Sequence, residues 1–432
     1  MRFRLEGLWQ HPDFVRLWTA QTISVFGSLI TGTALPFTAI LALDASPIQV
    51  ALLAASNHVP GLIFALAAGV WVDRLPRRPV MIAADLGRAA LLVSIPITYA
   101  FDALTIWQLY VVALGAGVLT IFFDVAYQSY LPSLVSRDEL IEGNSKLAAT
   151  ASVSEFAGFS ISGWLVQVFS GPFAILVDAV SFVVSAGFLR TIRAPEPPRG
   201  AVEQRGSAFS EAIDGMRVVV QDPLLRSLAG VTPLASFGIG MFFATYMIFV
   251  TRSLGFNPGV LGVIFGLGGI SSLFGAVLAG TLARRYGIGV TMITGIAMMG
   301  ISMFFIPIAQ GATVVAAGLL IAQQIFGDGM YMVFDINATS LRQAIAPEQA
   351  LGRITAFNRM LDLGFTLIGI LIGGVIGQTV GLRTALCIGA GAMIVAAAWL
   401  FVSPVRNVVA APAREEPFAT ALDPTLSHPP IV

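Results

Sequence analysis

Residues 69–81 read GVWVDRLPRRPVM. Asp73, Arg74, Arg77 and Arg78 crowd together there between two almost wholly apolar runs. A second stretch, GTLARRYGIGVTM, occupies 280–292, again between apolar runs and 211 positions further on. The meaning of these two charged interruptions depends on what the apolar material around them is.

The chain has 432 residues, of which 56% are hydrophobic and 11% charged. A soluble domain carries roughly 25% charged residues, so too little polar surface exists to cover a water-soluble globule of this size. Residues 49–72, 103–123, 253–283, 286–327 and 384–405 contain no Asp, Glu, Lys or Arg. A bilayer-spanning helix needs about 20 mostly apolar residues, so these blocks read as membrane helices, the longest holding two. The alternation in roughly 10-residue units expected of a membrane β-barrel is absent. A formal net charge of zero leaves no nucleic-acid footprint. The single cysteine, Cys387, lies in an apolar run and reads as a small core residue. With three histidines no metal cluster is expected, and no cofactor motif is visible. The first apolar run, about 14–43, exceeds the 7–15 residue core of a cleaved signal and contains Arg16.

Loop punctuation divides the chain. Breaks fall at Asp44–Pro47, 73–78, Phe101–Ala103, Ser133–Lys146 and Gly171-Pro172. The Pro- and charge-rich segment Arg193–Gly206 is a linker, and Ser207–Asp222 reads as an amphipathic surface helix with Phe209, Ile213 and Met216 on one side. Later breaks fall near Asn257-Pro258, Arg284–Gly289, Gln310-Gly311, Arg342–Arg353 and Gly381–Arg383. The expectation is an all-α membrane protein of twelve spans, six on each side of a central linker: bundles over 1–192 and 224–403, a linker over 193–223, and a Pro-, Ala- and Thr-rich disordered tail over 404–432. An even span count puts both termini on one side. Of the 24 Lys and Arg residues, only Arg252 and Arg383 fall in opposite loops, with Arg88 and Arg359 inside helices. The positive-inside rule therefore makes the termini cytoplasmic; the expected setting is a bacterial inner membrane. Trp9, Trp18, Trp107 and Tyr110 suit an interfacial belt.

The halves echo each other at the single offset of 211. Gly69 meets Gly280, Arg74 meets Arg285, Met81 meets Met292, Phe123-Asp124 meets Phe334-Asp335, Ser129 meets Ser340 and Leu140 meets Leu351. Parallel six-helix repeats around a midplane cavity are an architecture of secondary transporters.

The opening stretch resembles the signature loop between helices 2 and 3 of the major facilitator superfamily, roughly G-x-x-x-D-R-x-G-R-R. Gly69, Asp73, Arg74, Arg77 and Arg78 match it, while Pro76 replaces a Gly. The second copy keeps Gly280, Arg285 and Gly287 but has Arg284 for the Asp. The resemblance covers about residues 12–402. QTISVFGSLITGTALP (21–36), SPIQVALL (46–53), FFDVAYQSYLPSLVSRDELIEGNS (122–145) and FSEAIDGMRVVVQDPLLRSL (209–228) look like the branch that holds enterobactin-type siderophore exporters and macrolide and multidrug exporters. Under this resemblance the loop is a latch, with Asp73 near a helix N-terminus of the other half, a contact worth about 0.3–1 kcal/mol. A topology signal is the alternative, for which the arginines suffice without Asp73.

Ionisable groups inside a bilayer cost about 2.5–3.5 kcal/mol each on insertion scales, so each needs a reason. Asp85 and Arg88 stand three apart on the third span, Arg359 and Asp362 three apart on the eleventh. That spacing shares a helix face and reads either as two self-neutralised pairs or as gate elements. Asp124 and Asp335 hold matching places on spans four and ten, about seven residues from the expected helix ends, in a structural or a transport role; Asp328 is a weaker candidate. Glu155 and Asp178 lie deeper and are candidates for a proton pathway, with Ser181 and Ser185 able to satisfy Asp178 locally. Glu155 stands in SEFAGFSISGW, which loosely resembles the exporters' G-P-x-x-G-G element with Phe159 and Ser162 as departures. His58 is either a hydrogen-bonded core histidine or a titrating pathway residue. Gly369, Gly373 and Gly377 read as helix packing, and Met298, Met299, Met303, Phe304 and Phe305 as filler.

No phosphate-binding loop, HExxH or nucleophile elbow appears, so an enzyme has no visible centre. The expected function is proton-driven export of an amphipathic small molecule, by a monomer whose partners are substrate, protons and lipid. Siderophore export, import and a non-transporting scaffold are the alternatives, since fold alone does not set direction. Alkaline phosphatase fused after Val432 is expected to be inactive, and active when inserted after Asp102; the reverse pattern overturns the orientation.

Overall fold

A computed structural model describes residues 7–72, 75–136, 139–194 and 208–410. Among them every regular element is helical. The long helices are α1 (Pro12–Ala42), α2 (Pro47–Val72), α3 (Arg77–Ala100), α4 (Ile106–Leu134), α5 (Leu140–Phe169) and α6 (Gly171–Thr191). A short α7 (Ala208–Gln221) follows the linker, then α8 (Pro223–Ser253), α9 (Pro258–Tyr286), α10 (Ile288–Ile308), α11 (Val314–Ile345), α12 (Leu351–Thr379) and α13 (Leu382–Val402). Eleven of the twelve long helices are long and apolar enough to cross a membrane along their described parts. The twelfth, α5, is diluted by Glu142, Lys146, Glu155, five serines and Thr150. It spans 30 residues and packs along α1 and α9 as a member of the bundle.

Local chemistry sets the helix starts. Pro occupies the first turn of α1, α6, α8 and α9, where its missing N–H costs nothing. Asp222 caps α8, its carboxylate accepting from the Leu224 and Leu225 N–H groups at 2.8 Å each. Asn257 caps α9 through Val260 N–H, and Thr313 caps α11 through Ala316 N–H.

The 211-residue repeat is written in the helix boundaries. Pro12 and Pro223, Pro47 and Pro258, Arg77 and Ile288, Leu140 and Leu351, and Gly171 and Leu382 each open corresponding helices. The repeat extends to a defect. α1 ends in a π-turn over Thr38–Ala42 and α8 in one over Phe249–Ser253, again 211 apart. The fourth pair departs. A further π-turn, Gln324–Asp328, interrupts α11, and the matching stretch of α4 is plain α-helix.

Within each half, packing is close. Gly369 and Gly373 bring α12 against α8: a Cβ on Gly369 would lie 2.2 Å from the Phe237 carbonyl oxygen. Met299 and Met303 are buried beside Ile296 and Met393, while Cys387 is half-buried. Trp18 donates to Thr150 Oγ1 at 2.9 Å, and Trp107 is 72% exposed beside Tyr110.

Two expectations need correction. On α7 the inward residues are Gly215, Val218 and Val219, and Met216 is exposed. Gly215 has no Cβ, so α7 presses onto the Arg353 backbone of α12, and this contact sets the helix rotation. The tail is folded at its start: Pro404–Asn407 form a 3₁₀ turn, and the Val408 and Val409 carbonyls accept from Gly289 and Ile288 N–H at the N-terminus of α10. Residues 411–432 of the tail and 195–207 of the linker lie outside the described residues.

The halves, α1–α6 and α8–α13, touch through two seams. On one, Gly163 of α5 meets Gly262 of α9, where a Cβ on Gly262 would lie 2.9 Å from the Gly163 Cα. On the other, a Cβ on Gly374 of α12 would lie 2.3 Å from the Ala51 Cβ of α2. Both seams lie toward the side opposite the chain termini. There Arg252 of α8 also bridges to Asp44 Oδ1 at 2.6 Å and donates to the Ile40 carbonyl, in the π-turn of α1, at 2.8 Å. Gly262→Val is expected to part the halves on this side while each half stays folded. In a Cys387→Ser background, a cysteine at Met247 should become reactive to an impermeant thiol reagent applied from that side, with the melting temperature changed little. Unchanged reactivity refutes the gate.

Candidate functional site

Between the halves lies a cavity of about 610 Å³. α1, α2, α3, α4 and α6 contribute Thr31, His58, Arg88, Thr120, Asp178 and Phe182 to it. Phe159 of α5 joins them, facing Phe242, Phe243 and Tyr246 of α8, Phe265 of α9, and Gln324 and Asp328 of α11. A second chamber of about 370 Å³ shares Asn57, His58, Gly117, Thr120 and Phe243 and adds Arg359, Asp362 and Thr366. A third, of about 250 Å³, shares Arg359 and Asp362 and reaches Tyr331, Asp335 and Arg342. The three form a path from the middle of the bundle toward the terminal side.

The buried charges of the first half gather around one cation. Arg88 is 3% exposed and pairs with Asp85 at 2.5 Å, one turn back on α3. It donates to Thr120 Oγ1 of α4 at 3.2 Å and lies over the rings of Phe123 and Phe182, 4.6 and 4.1 Å from their centroids. One guanidinium thus ties α3, α4 and α6 together through an ion pair, a hydrogen bond and two ring faces. Asp178 of α6 is 1% exposed and accepts from Ser181 at 3.0 Å. Gly27 of α1 leaves it room, since a Cβ there would lie 2.4 Å from Asp178 Oδ1. Among the described residues Ser185, the other expected partner, makes no bond to it, and Ser181 satisfies the carboxylate from its own helix.

The repeat shows which of these features are special. Positions 211 after Asp85, Arg88 and Asp178 carry Ile296, Met299 and Gly389. Positions 211 before Arg359 and Asp362 carry Ala148 and Ala151. Of the candidate buried carboxylates and arginines, Asp124 and Asp335 alone keep a charge at both positions. A scaffold is repeated, and the charges that a membrane makes expensive are placed on it asymmetrically.

Twelve membrane helices in two parallel repeats, with a cavity between the repeats, form a transporter architecture, and a family model described as Major Facilitator Superfamily matches residues 17–362. This chain belongs to that superfamily. It is 25% identical over 387 residues to the multidrug efflux pump Tap of Mycolicibacterium fortuitum, covering 86% of this chain and 90% of that one. It is 25% identical over 294 residues to macrolide efflux protein A of Streptococcus pyogenes, covering 67% of this chain and 71% of that one. Among solved structures, the nucleoside transporter NupG superposes with a TM-score of 0.72 at 14% identity, covering 90% of this chain and 99% of that one. A bacterial homologue of the iron transporter ferroportin, in an inward-facing state, gives 0.71 at 18% identity, covering 92% and 99%. These likenesses place the fold and make the protein a transporter.

In this major facilitator chain the signature loop is only partly described. Asp73 and Arg74 lie outside the described residues, and Gly69 falls in the last turns of α2. Arg77 opens α3, and Arg78 donates to the Arg190 carbonyl at the end of α6, tying the loop to its own half. The pair expected at Arg359 and Asp362 does not form. Asp362 instead accepts from Ser236 of α8 at 2.7 Å, and Arg359 lines both lower chambers with no ion pair among the described residues. Three-residue spacing put both groups on one face, but the neighbouring helix offered Asp362 a nearer partner. Asp124 and Asp335 are solvent-accessible and each stands ten residues from its helix end, because α4 and α11 run on to Leu134 and Ile345. That is about 15 Å of helix at 1.5 Å per residue, deeper than the seven residues expected. His58 sits on the wall of the upper two chambers, its Nδ1 2.9 Å from the Ala54 carbonyl, so it is a cavity residue as well as a hydrogen-bonded one. Glu155 is exposed on α5 beside Phe156, whose backbone lies 3.3 Å from a Cβ built on Gly269 of α9.

Sequence reasoning missed the aromatic wall of α8 and α9 and did not place Asp328 on the cavity with it. Phe242, Phe243 and Tyr246 were legible as a helical stripe, but nothing in a stripe says whether it faces lipid or a cavity. Arg252 and Arg383, the two arginines in loops opposite the termini, are both used there: Arg383 donates to the Ala309 carbonyl at 3.1 Å. For the buried pair, removing one partner leaves an uncompensated charge. Asp85→Asn is expected to cost about 3–5 kcal/mol, and the double change Asp85→Leu with Arg88→Met to recover most of it. Thermal unfolding in detergent measures both, and equal loss in single and double variants refutes the reading.

Proposed function

We propose that this transporter is a secondary active exporter of amphipathic small molecules, working by alternating access and driven by proton entry. The observation that carries the reading is the central cavity: an aromatic and aliphatic chamber between two halves, holding the carboxylates Asp178 and Asp328, neither of which forms an ion pair among the described residues. A chamber of this chemistry suits a ligand with a large apolar body and a few polar groups. The two efflux relatives, the multidrug pump Tap and macrolide efflux protein A, support the direction.

In this reading the bodies that rock are residues 1–192 and 224–403, joined by the linker over 193–223, and both termini are cytoplasmic in a bacterial inner membrane. The glycine seams and the Arg252–Asp44 bridge hold the outward side shut while the path through His58, Asp362 and Asp335 leads cargo in from the cytoplasm. Opening outward breaks the seams and closes the cytoplasmic side, where Gly69, Asp73, Arg74, Arg77 and Arg78 act as the latch. Asp85 with Arg88, and Arg359 with Asp362, support that gate. Asp178 and Glu155 take and release protons as the chamber alternates between dry and wet, with Asp124 and Asp335 as the relay at the mouth. The transporter works as a monomer, each chain holding a whole cavity. Siderophore export is the weaker alternative, because anionic catecholates would meet Asp178 and Asp328.

The test uses everted membrane vesicles with an imposed pH gradient. Macrolides, dye cations or catecholate siderophores are added, and collapse of the gradient is recorded. Ligand-dependent collapse is expected for the wild type and is expected to fall about tenfold or more in Asp178→Asn or Glu155→Gln, as for loss of a general acid–base group. Transport that dissipates no proton gradient, or full coupling in both variants, refutes the proton assignment.

A further inference from the structure

The cavity wall supplied by the second half has a chemistry of its own. Phe242, Phe243, Tyr246 and Phe265 line it. The rings of Phe242 and Tyr246 stack at 4.3 Å, and those of Tyr246 and Phe265 stand 5.7 Å apart. The residues 211 positions earlier, Thr31, Gly32, Leu35 and Ala54, line the same cavity from the first half. Equivalent places on the two repeats therefore face one space, one side small or aliphatic and the other aromatic.

The same asymmetry holds for charge. Asp328 lines the cavity, and its counterpart Gly117 does too. Asp328 closes the π-turn of α11 that α4 lacks, and Gly268 of α9 gives it space, a Cβ there lying 2.4 Å from Asp328 Oδ2. π-turns inside helices recur at functional sites because they redirect side chains that a regular helix would aim elsewhere. Among the described residues Asp328 has neither an ion pair nor a hydrogen bond, and the charged group that acts on it is another acid, Glu155. The buried Tyr246 hydroxyl likewise has no hydrogen-bond partner among the described residues. Arg88, the cation on the opposite wall, is committed to Asp85, Phe123 and Phe182.

We propose that Asp328, Tyr246, Phe242 and Phe265 form a subsite for a cationic centre, so that the preferred cargo is a lipophilic monocation, a protonated amine or onium ion carrying an apolar body. The carboxylate supplies the counter-charge, and the electron-rich ring faces supply cation–π attraction in a desolvated setting. The apolar body of the cargo lies against the aliphatic wall of the first half. This deepens the export reading, since it names the charge class of cargo for the same cavity.

The experiment measures equilibrium binding to the full chain in lipid nanodiscs, with empty nanodiscs subtracted. The probes are tetraphenylphosphonium, tetraphenylborate of the same shape and opposite charge, and neutral triphenylphosphine oxide. Saturable binding of the phosphonium alone or at least about tenfold over the others is expected, falling about tenfold or more in Asp328→Asn, as for loss of a charged partner. Asp328→Glu should retain much of it, and Tyr246→Phe should retain more than Tyr246→Leu, because the ring face survives. Binding of the neutral probe should not change in Asp328→Asn. Equal binding of all three probes, or equal loss of phosphonium and neutral probe in Asp328→Asn, overturns the subsite, the second marking a purely structural role. Charge-selective binding with no transport of any ligand in vesicles would overturn export and leave the subsite standing. Export of neutral macrolide-like ligands without phosphonium binding would do the opposite.

Discussion

Backbone-to-backbone approach of α5 and α9 at Gly163 and Gly262 is the contact on which this conformation rests. In a bilayer, apolar side chains gain little by leaving lipid for another helix, so helices associate by close packing. Glycine permits the closest packing, and here it is placed where the two halves meet. Gln167 of α5 adds a polar hold, accepting from Gly259 N–H at 2.9 Å at the start of α9. The small residues Ala51 and Gly374 serve the α2–α12 seam in the same way. Contacts without long interdigitated side chains can part and re-form as surfaces, which suits a joint that opens. Seams inside one half, such as Gly369 on Phe237, use the same device to stay shut.

Around this joint the electrostatics are divided by half. The first half spends its buried cation on itself: Arg88 is enclosed by Asp85, Thr120, Phe123 and Phe182. The second half leaves Asp328 and Arg359 facing the path. A duplicated fold supplies two equivalent walls, and cargo chemistry requires them to differ. The observed solution keeps helix boundaries in register over 211 residues, including the π-turns at Thr38–Ala42 and Phe249–Ser253, and changes side chains at the cavity. Arg252 reaching from one of these π-turns to a carbonyl within the other shows the register being used, because both turns end on the side where the halves touch.

Several site features were partly legible. Asp85 and Arg88 paired as their spacing implied, whereas Arg359 and Asp362, with the same spacing, did not. The difference lies in what the neighbouring helix presents: rings and a hydroxyl around Arg88, and Ser236 beside Asp362. Helix ends were short by three residues at α4 and α11, since Leu134 and Ile345 continue an apolar helix past the first polar residue. Met216 belonged to the right helix and the wrong face, because a glycine decided the rotation.

The sequence by itself determined that the chain is a membrane protein of twelve helices in two repeats, and that its loops are arranged around a charged signature. These follow from quantities local in the chain: the length of apolar runs, the cost of charge in a bilayer, Pro and Asp at helix starts, and a fixed offset. Only the tertiary structure decided which groups share the cavity. Asp178, Asp328 and Tyr246 come from α6, α11 and α8, and no spacing in the chain relates them. A helix in lipid can turn any face to its neighbours without a hydrophobic penalty, so its rotation is set by packing. The orientation of each functional side chain was therefore written in the glycines and π-turns of other helices, and could be read only once those helices were assembled.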